Sequence, residues 1–261
     1  MAEEIFMLPD STKLFGLSMV SLLALAGCGG NSDICGYDAY GDPLVCQATP
    51  SIPPLAAPVA SSASFSIAQG LINIATQNYA YTVNSVDGYG NIYTIQYSSV
   101  PGQPALFGTT PASTANITQA LSENSSTLQT ITSTNYYIQS PYQFLGSVSN
   151  VPGGSEVVNS FQVAPVSGLV GQTFPSYAAT VYRDSTNVVV DATLTETIGL
   201  SADTSTTALL CLTDTIQLTQ AGISDNLSGG TYSNCFRIDP NGNVLGLQIT
   251  TQINGMPMLF Y

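Results

Sequence analysis

The side chains able to do chemistry in this chain are almost all oxygen donors. Histidine is absent from the 261 residues, and Lys and Arg together number three. A Ser-His-Asp or Cys-His relay therefore cannot be built. Past residue 27 there is no lysine either, so a Ser-Lys pair is excluded and the many Ser, Thr and Tyr hydroxyls lack an activating base. Carboxylates remain. Glycosidase-type hydrolysis needs two of them facing each other, and Glu123 and Glu156 are the glutamates outside the alternating strand that holds Glu196. Nothing in their spacing brings them together, and each reads as a carboxylate on a solvated loop. The chain is therefore read as a non-enzyme, with an acid-dependent hydrolase using paired carboxylates as an alternative.

Two further patterns could bind rather than react. Asp239-Pro240-Asn241-Gly242-Asn243 offers oxygen ligands at alternating positions, as calcium loops do. No bidentate glutamate follows, and the same residues are what a tight hairpin turn requires, so a turn is expected here and at Asp87-Gly88-Tyr89-Gly90-Asn91. The second pattern is aromatic. Tyr79, Tyr81, Tyr89, Tyr93 and Tyr97 fall in one segment, and Tyr136, Tyr137 and Tyr142 in another. An exposed row would stack on sugar rings or anchor a protein partner, with Tyr93, Tyr97, Tyr136 and Tyr137 as the candidates. Cross-strand pairing inside a core produces the same spacing.

The cysteines carry an address. Leu25-Ala26-Gly27-Cys28 closes an apolar run of 14 residues from Leu14 to Gly27, too short to span a bilayer but within the range of a signal-peptide core. The tetrapeptide resembles the lipobox of bacterial lipoproteins. That resemblance implies removal of residues 1–27 and a diacylglyceryl thioether on Cys28, with the protein anchored to a membrane. Gly29 lies where an Asp would imply retention in the inner membrane, so the outer membrane is the expected site. Glu3, Glu4 and Asp10 make the segment before the run acidic, which a true start at Met7 would partly relieve. Setting Cys28 aside leaves Cys35, Cys46, Cys211 and Cys235. An even count in an oxidising compartment favours two disulfides, and proximity favours Cys35–Cys46 and Cys211–Cys235. Without histidine or Cys-x-x-Cys spacing these four do not read as a zinc site. No metal or cofactor is expected.

After residue 27 the chain keeps Arg183 and Arg237 against thirteen acidic side chains. Nucleic-acid binding and electrostatic adhesion to anionic lipid are excluded, since both require clustered positive charge. Residues 28–64 read as a tether and linker, with Pro50, Pro53, Pro54 and Pro58 set among Ala and Ser.

From Phe65 onward, alternation dominates. Leu245, Leu247, Ile249, Thr251 and Ile253 share one phase before Asn254-Gly255, a strong hairpin signal. Val188, Val190, Ala192 and Leu194 share another, as do Tyr93, Ile95 and Tyr97. Pro257 cannot donate to a ladder, which places the last strand at an edge. The segment from Ser113 to Leu128 is the best helix candidate, but its periodicity is poor and it reads as loop or strand. An all-β fold is predicted, an antiparallel sandwich or meander. Asn78-Tyr79-Ala80-Tyr81-Thr82-Val83 resembles Ser176-Tyr177-Ala178-Ala179-Thr180-Val181, and the Asn135 region resembles the Asn234 region at nearly the same offset. Two tandem β units, 65–155 and 156–261, would produce this; so would chance similarity among Thr- and Tyr-rich strands. The expected function is a non-catalytic β module of the envelope that binds glycan or protein. Its alternative, besides the hydrolase, is a carrier of a lipid or other apolar ligand in a barrel-like cavity.

Overall fold

The computed structural model describes residues 34–37, 43–45, 58, 60–151, 153–253 and 255–261. Cys28 and Cys46 lie outside the described residues, and with them the lipidation and the first expected disulfide. Within residues 21–57, β1 (Ile34–Tyr37) and β2 (Pro43–Val45) pair antiparallel, with Tyr37 opposite Pro43.

The region from residue 58 onward is all-β. It is an antiparallel meander in which, one short strand excepted, each strand is hydrogen-bonded to the next, and it curls into a nearly closed barrel. The strands are β3 (Tyr79–Val86), β4 (Ile92–Pro101), β5 (Ala105–Phe107), β6 (Thr110–Glu123), β7 (Ser126–Gln139), β8 (Tyr142–Ser149) and β9 (Ser155–Phe161). They continue as β10 (Thr173–Tyr182), β11 (Val190–Ala202), β12 (Ala208–Leu218), β13 (Gly230–Ile238), β14 (Val244–Ile253) and β15 (Met256–Phe260). β5 is a short flap paired only to β6. The first and last strands meet where the main chains of Asn84 and Tyr261 exchange two hydrogen bonds, both 3.2 Å. Of the two arrangements compatible with the sequence, the meander is the one formed. The sheet runs unbroken past residue 155, because β8 and β9 pair Ser147 with Glu156 and Gly146 with Val157.

Side-chain alternation explains the closure. On β11 the phase Ala192, Leu194, Ile198, Leu200 is buried, while Thr193 and Thr195 are exposed. On β7 Leu128, Thr130 and Thr132 point out, and Tyr137 points in. A two-residue period with one apolar phase must bury that phase, and a long twisted meander does so by curling around it. The outer phase of these strands is largely threonine, the reverse of a membrane-spanning barrel, whose apolar band faces lipid. The segment from Ser113 to Leu128 is strand, in keeping with its weak helical periodicity: β6, the turn at Asn124 and Ser125, and the start of β7.

One end of the barrel is filled by a helix that the alternation pattern does not announce, α1 (Ile67–Thr76). Ile67, Leu71 and Ile74 recur at helical spacing and are buried together with Gly70, Asn73 and Ala75. The helix packs on β4, β6, β8 and β14, strands from well-separated positions around the sheet, so it lies across the barrel interior. Its apolar face joins Phe65, Leu210, Phe236 and Ile238 in the main core. The turn between β13 and β14 presses against its first residues. Gly242 there has φ +84°, and a Cβ on it would stand 2.6 Å from the Gly70 nitrogen, so only glycine fits. Asn73 fixes the contact by donating from Nδ2 to the Gly242 carbonyl at 2.8 Å. Cys211 and Cys235 face each other in register on β12 and β13 and form a disulfide. This is the strand-to-strand tie expected from the sequence.

Candidate functional site

Above α1 the interior does not pack solid. A cavity of about 260 Å³ remains, with Leu71, Ile74 and Ala75 of α1 as its floor. Its walls are inward-facing residues of β3, β4 and β6 to β13. At the far end it reaches Val151, Gly153 and Gly154 of the β8–β9 loop, and Leu227 and Ser228 of the loop after α2 (Gln220–Ser224). Leu227 lies over Gly153 closely enough that a Cβ on that glycine would be 2.6 Å from Leu227 Cδ1. The wall is mostly apolar and aromatic. Tyr137 packs on Tyr142 with ring centroids 6.0 Å apart, and Phe144 on Tyr177 at 5.2 Å.

Three carboxylates interrupt this apolar wall. Glu196 on β11 stands directly opposite Asp214 on β12 in the strand register. Glu156 on β9 lines the same cavity. Burial raises the pKa of Glu156 to about 7, and the hydroxyls of Tyr177 and Ser147 act the other way. Burial also raises Glu196; the Ser176 hydroxyl opposes that rise and the nearby Glu156 charge adds to it. Asp214 is raised by burial, then by the charges of Glu196 and Glu156. The physical cause is common to all three: a carboxylate enclosed by protein loses hydration that no cation replaces. Both arginines are engaged elsewhere. Arg183 pairs with Asp225 at 2.6 Å, and Arg237 holds Asp203 through Nε and Nη2 at 2.7 and 2.9 Å. Neither lines the cavity.

Several interior oxygens also lack hydrogen-bond partners. They include Glu156 Oε1, Asp214 Oδ1 and Asn234 Oδ1, all on cavity-lining residues. Native interiors leave few such atoms unpaired, and three of these belong to residues of one cavity wall.

The sequence-derived candidates are distributed as follows. Glu123 is not brought to Glu156; it sits at the end of β6 and accepts from the Tyr93 hydroxyl at 3.1 Å. Instead Glu156 shares the cavity wall with Glu196 and Asp214, which sequence reasoning did not select. A signal for both was present: each occupies the apolar phase of its strand, Glu196 after Ala192 and Leu194, Asp214 between Leu210 and Ile216. Tyr93, Tyr97 and Tyr137 are 4, 6 and 3% exposed. The exposed tyrosine row that a surface binding face needs is therefore not formed by them, because they occupy inward phases. Burial pushes the Tyr97 hydroxyl up to about 12. Tyr136 takes the other phase and packs on Phe107 of the β5 flap, centroids 4.9 Å apart. Both aspartate-led loops are turns, as expected. Asp239 Oδ1 accepts from the main-chain nitrogens of Asn241 and Asn243, and Asp87 Oδ1 from those of Tyr89 and Asn91. No protein-family model, curated protein or solved structure matches the chain.

Proposed function

We propose that this protein is a small-molecule binding protein of the bacterial envelope, held to a membrane through lipid on Cys28, that carries a ligand with an apolar body inside its barrel. The observation supporting this reading is the unfilled, aromatic-lined cavity at the centre of a barrel whose outer phase is rich in threonine. Interior cavities of this kind are uncommon without a use, since packing normally fills them and unfilled volume costs stability. At about 260 Å³ the space is modest; a dry apolar cavity of about 150 Å³ already accepts benzene. The occupant is thus closer to one or two rings than to a full lipid. Tyr93, Tyr97 and Tyr137 are buried and do not supply the outer face that the expected glycan or protein recognition would use.

The test is occlusion. Leu194 lines the cavity, and Leu194→Trp places an indole inside it. Binding of small aromatic probes, followed by calorimetry on the purified protein, should be saturable in the parent and lost in the variant. Equal binding by both would place the probes elsewhere and remove the basis of the carrier reading.

A second reading has an observation of its own. Buried carboxylates with raised pKa values facing one another are what acid catalysis uses. An acid-dependent hydrolase would show turnover that Glu156→Gln abolishes; absence of turnover across a panel of aryl glycosides and esters leaves binding alone.

A further inference from the structure

The charge of the ligand can be read from what the cavity lacks, an inference that rests on the carrier reading above. Its wall brings three carboxylates together and no basic side chain. Asn234, on the strand beside Asp214, is only 7% exposed, and its Oδ1 has no donor. Its side chain hydrogen-bonds the Tyr97 hydroxyl, which leaves its carbonyl oxygen as a buried, unpaired atom on a residue of the cavity wall. Together with Glu156 Oε1 and Asp214 Oδ1, the unsatisfied atoms on cavity-lining residues are therefore all acceptors. A site built this way is complete only when something supplies N–H donors and positive charge. The neighbouring rings of Tyr142, Phe144 and Tyr177 present π faces, which attract a desolvated cation. A metal ion does not suit the arrangement: among the described residues no group of three or more His, Cys, Asp or Glu side chains is placed to hold one.

We infer that the molecule held in the barrel is an organic cation, its ammonium or guanidinium group beside the paired Glu196 and Asp214, with Glu156 on the same wall and its apolar body against the aromatic side chains. Apolar contact would bring the ligand in, and the carboxylates would select its charge.

The experiment compares 2-phenylethylamine with its neutral counterpart 2-phenylethanol by calorimetry on the purified protein at pH 8. The amine is expected to bind at least tenfold more tightly. Glu196→Gln and, separately, Asp214→Asn should bring the two affinities together by weakening the amine; using two variants guards against one that fails to fold. If the alcohol binds as well as the amine, and Leu194→Trp abolishes both, the carrier reading stands and the cation inference falls. If neither compound binds, both are overturned.

Discussion

Replacing Glu156 by glutamine isolates the cost of enclosing a carboxylate in this barrel. In the unfolded chain the group ionises near its ordinary value of about 4.3; in the folded protein burial raises that to about 7. Between those values the folded state holds a proton that the unfolded state has released. Stability therefore falls as pH rises through that window, and the benefit present below pH 4 is gone above pH 8. Each tenfold gain in proton affinity is worth about 1.4 kcal/mol, so full enclosure corresponds to roughly 3–4 kcal/mol. Water admitted to the cavity screens part of this, leaving about 1–3 kcal/mol. Glu156 also raises Glu196 and Asp214, so its removal relaxes both neighbours. Urea unfolding followed by circular dichroism at pH 5 and pH 8.5 measures the effect. Glu156→Gln should flatten the loss of stability between the two pH values by about 1–3 kcal/mol, whatever its absolute stability. Parallel pH profiles for parent and variant would refute the argument that the enclosed carboxylate is the cause.

The disulfide closes a sequence separation of 24 residues, so Cys211→Ser with Cys235→Ser should cost roughly 3 kcal/mol, read as a lower unfolding midpoint matched by reduction of the parent. Gly242→Ala drives a Cβ against the backbone of α1 and forces a side-chain residue into positive φ; a loss of roughly 2–4 kcal/mol is expected, and a neutral result would mean α1 is not docked on this turn. Cys28→Ala should abolish incorporation of labelled palmitate and release the protein from membranes on fractionation, whereas continued sedimentation with the membrane would remove the lipid anchor from the proposed function.

The strands were legible because their signal is local. Leu247, Ile249 and Ile253 alternate with polar residues and are buried. The register pairs Ile253 with Met256 across the expected hairpin. Pro257 lies on the terminal strand of the path, where a missing donor costs least. Closure was not legible. It depends on Asn84 meeting Tyr261 across almost the whole domain, and alternation serves a sandwich equally well. Nor was α1, whose ten residues include Gly70 and three isoleucines, poor helix formers by propensity. Packing on Phe236 and Ile238 makes it a helix, and those partners are more than 150 positions away. The site failed to emerge for a related reason. Glu123 and Glu156 read as separate carboxylates on solvated loops, and which carboxylates share a wall depends on strand register. Glu196 opposite Asp214 follows only once β11 and β12 are aligned. The tyrosines show the converse: their alternation was visible, but not which side of the wall it faced.

The two hydrogen bonds between Asn84 and Tyr261 set the order of assembly. Every other strand pair can zip from a neighbouring turn at small entropic cost, whereas this seam joins chain ends whose encounter is penalised by the full intervening loop. It is the last stitch made and the first to part. A barrel sealed along one short line can also breathe there, parting like a clasp without losing its hairpins.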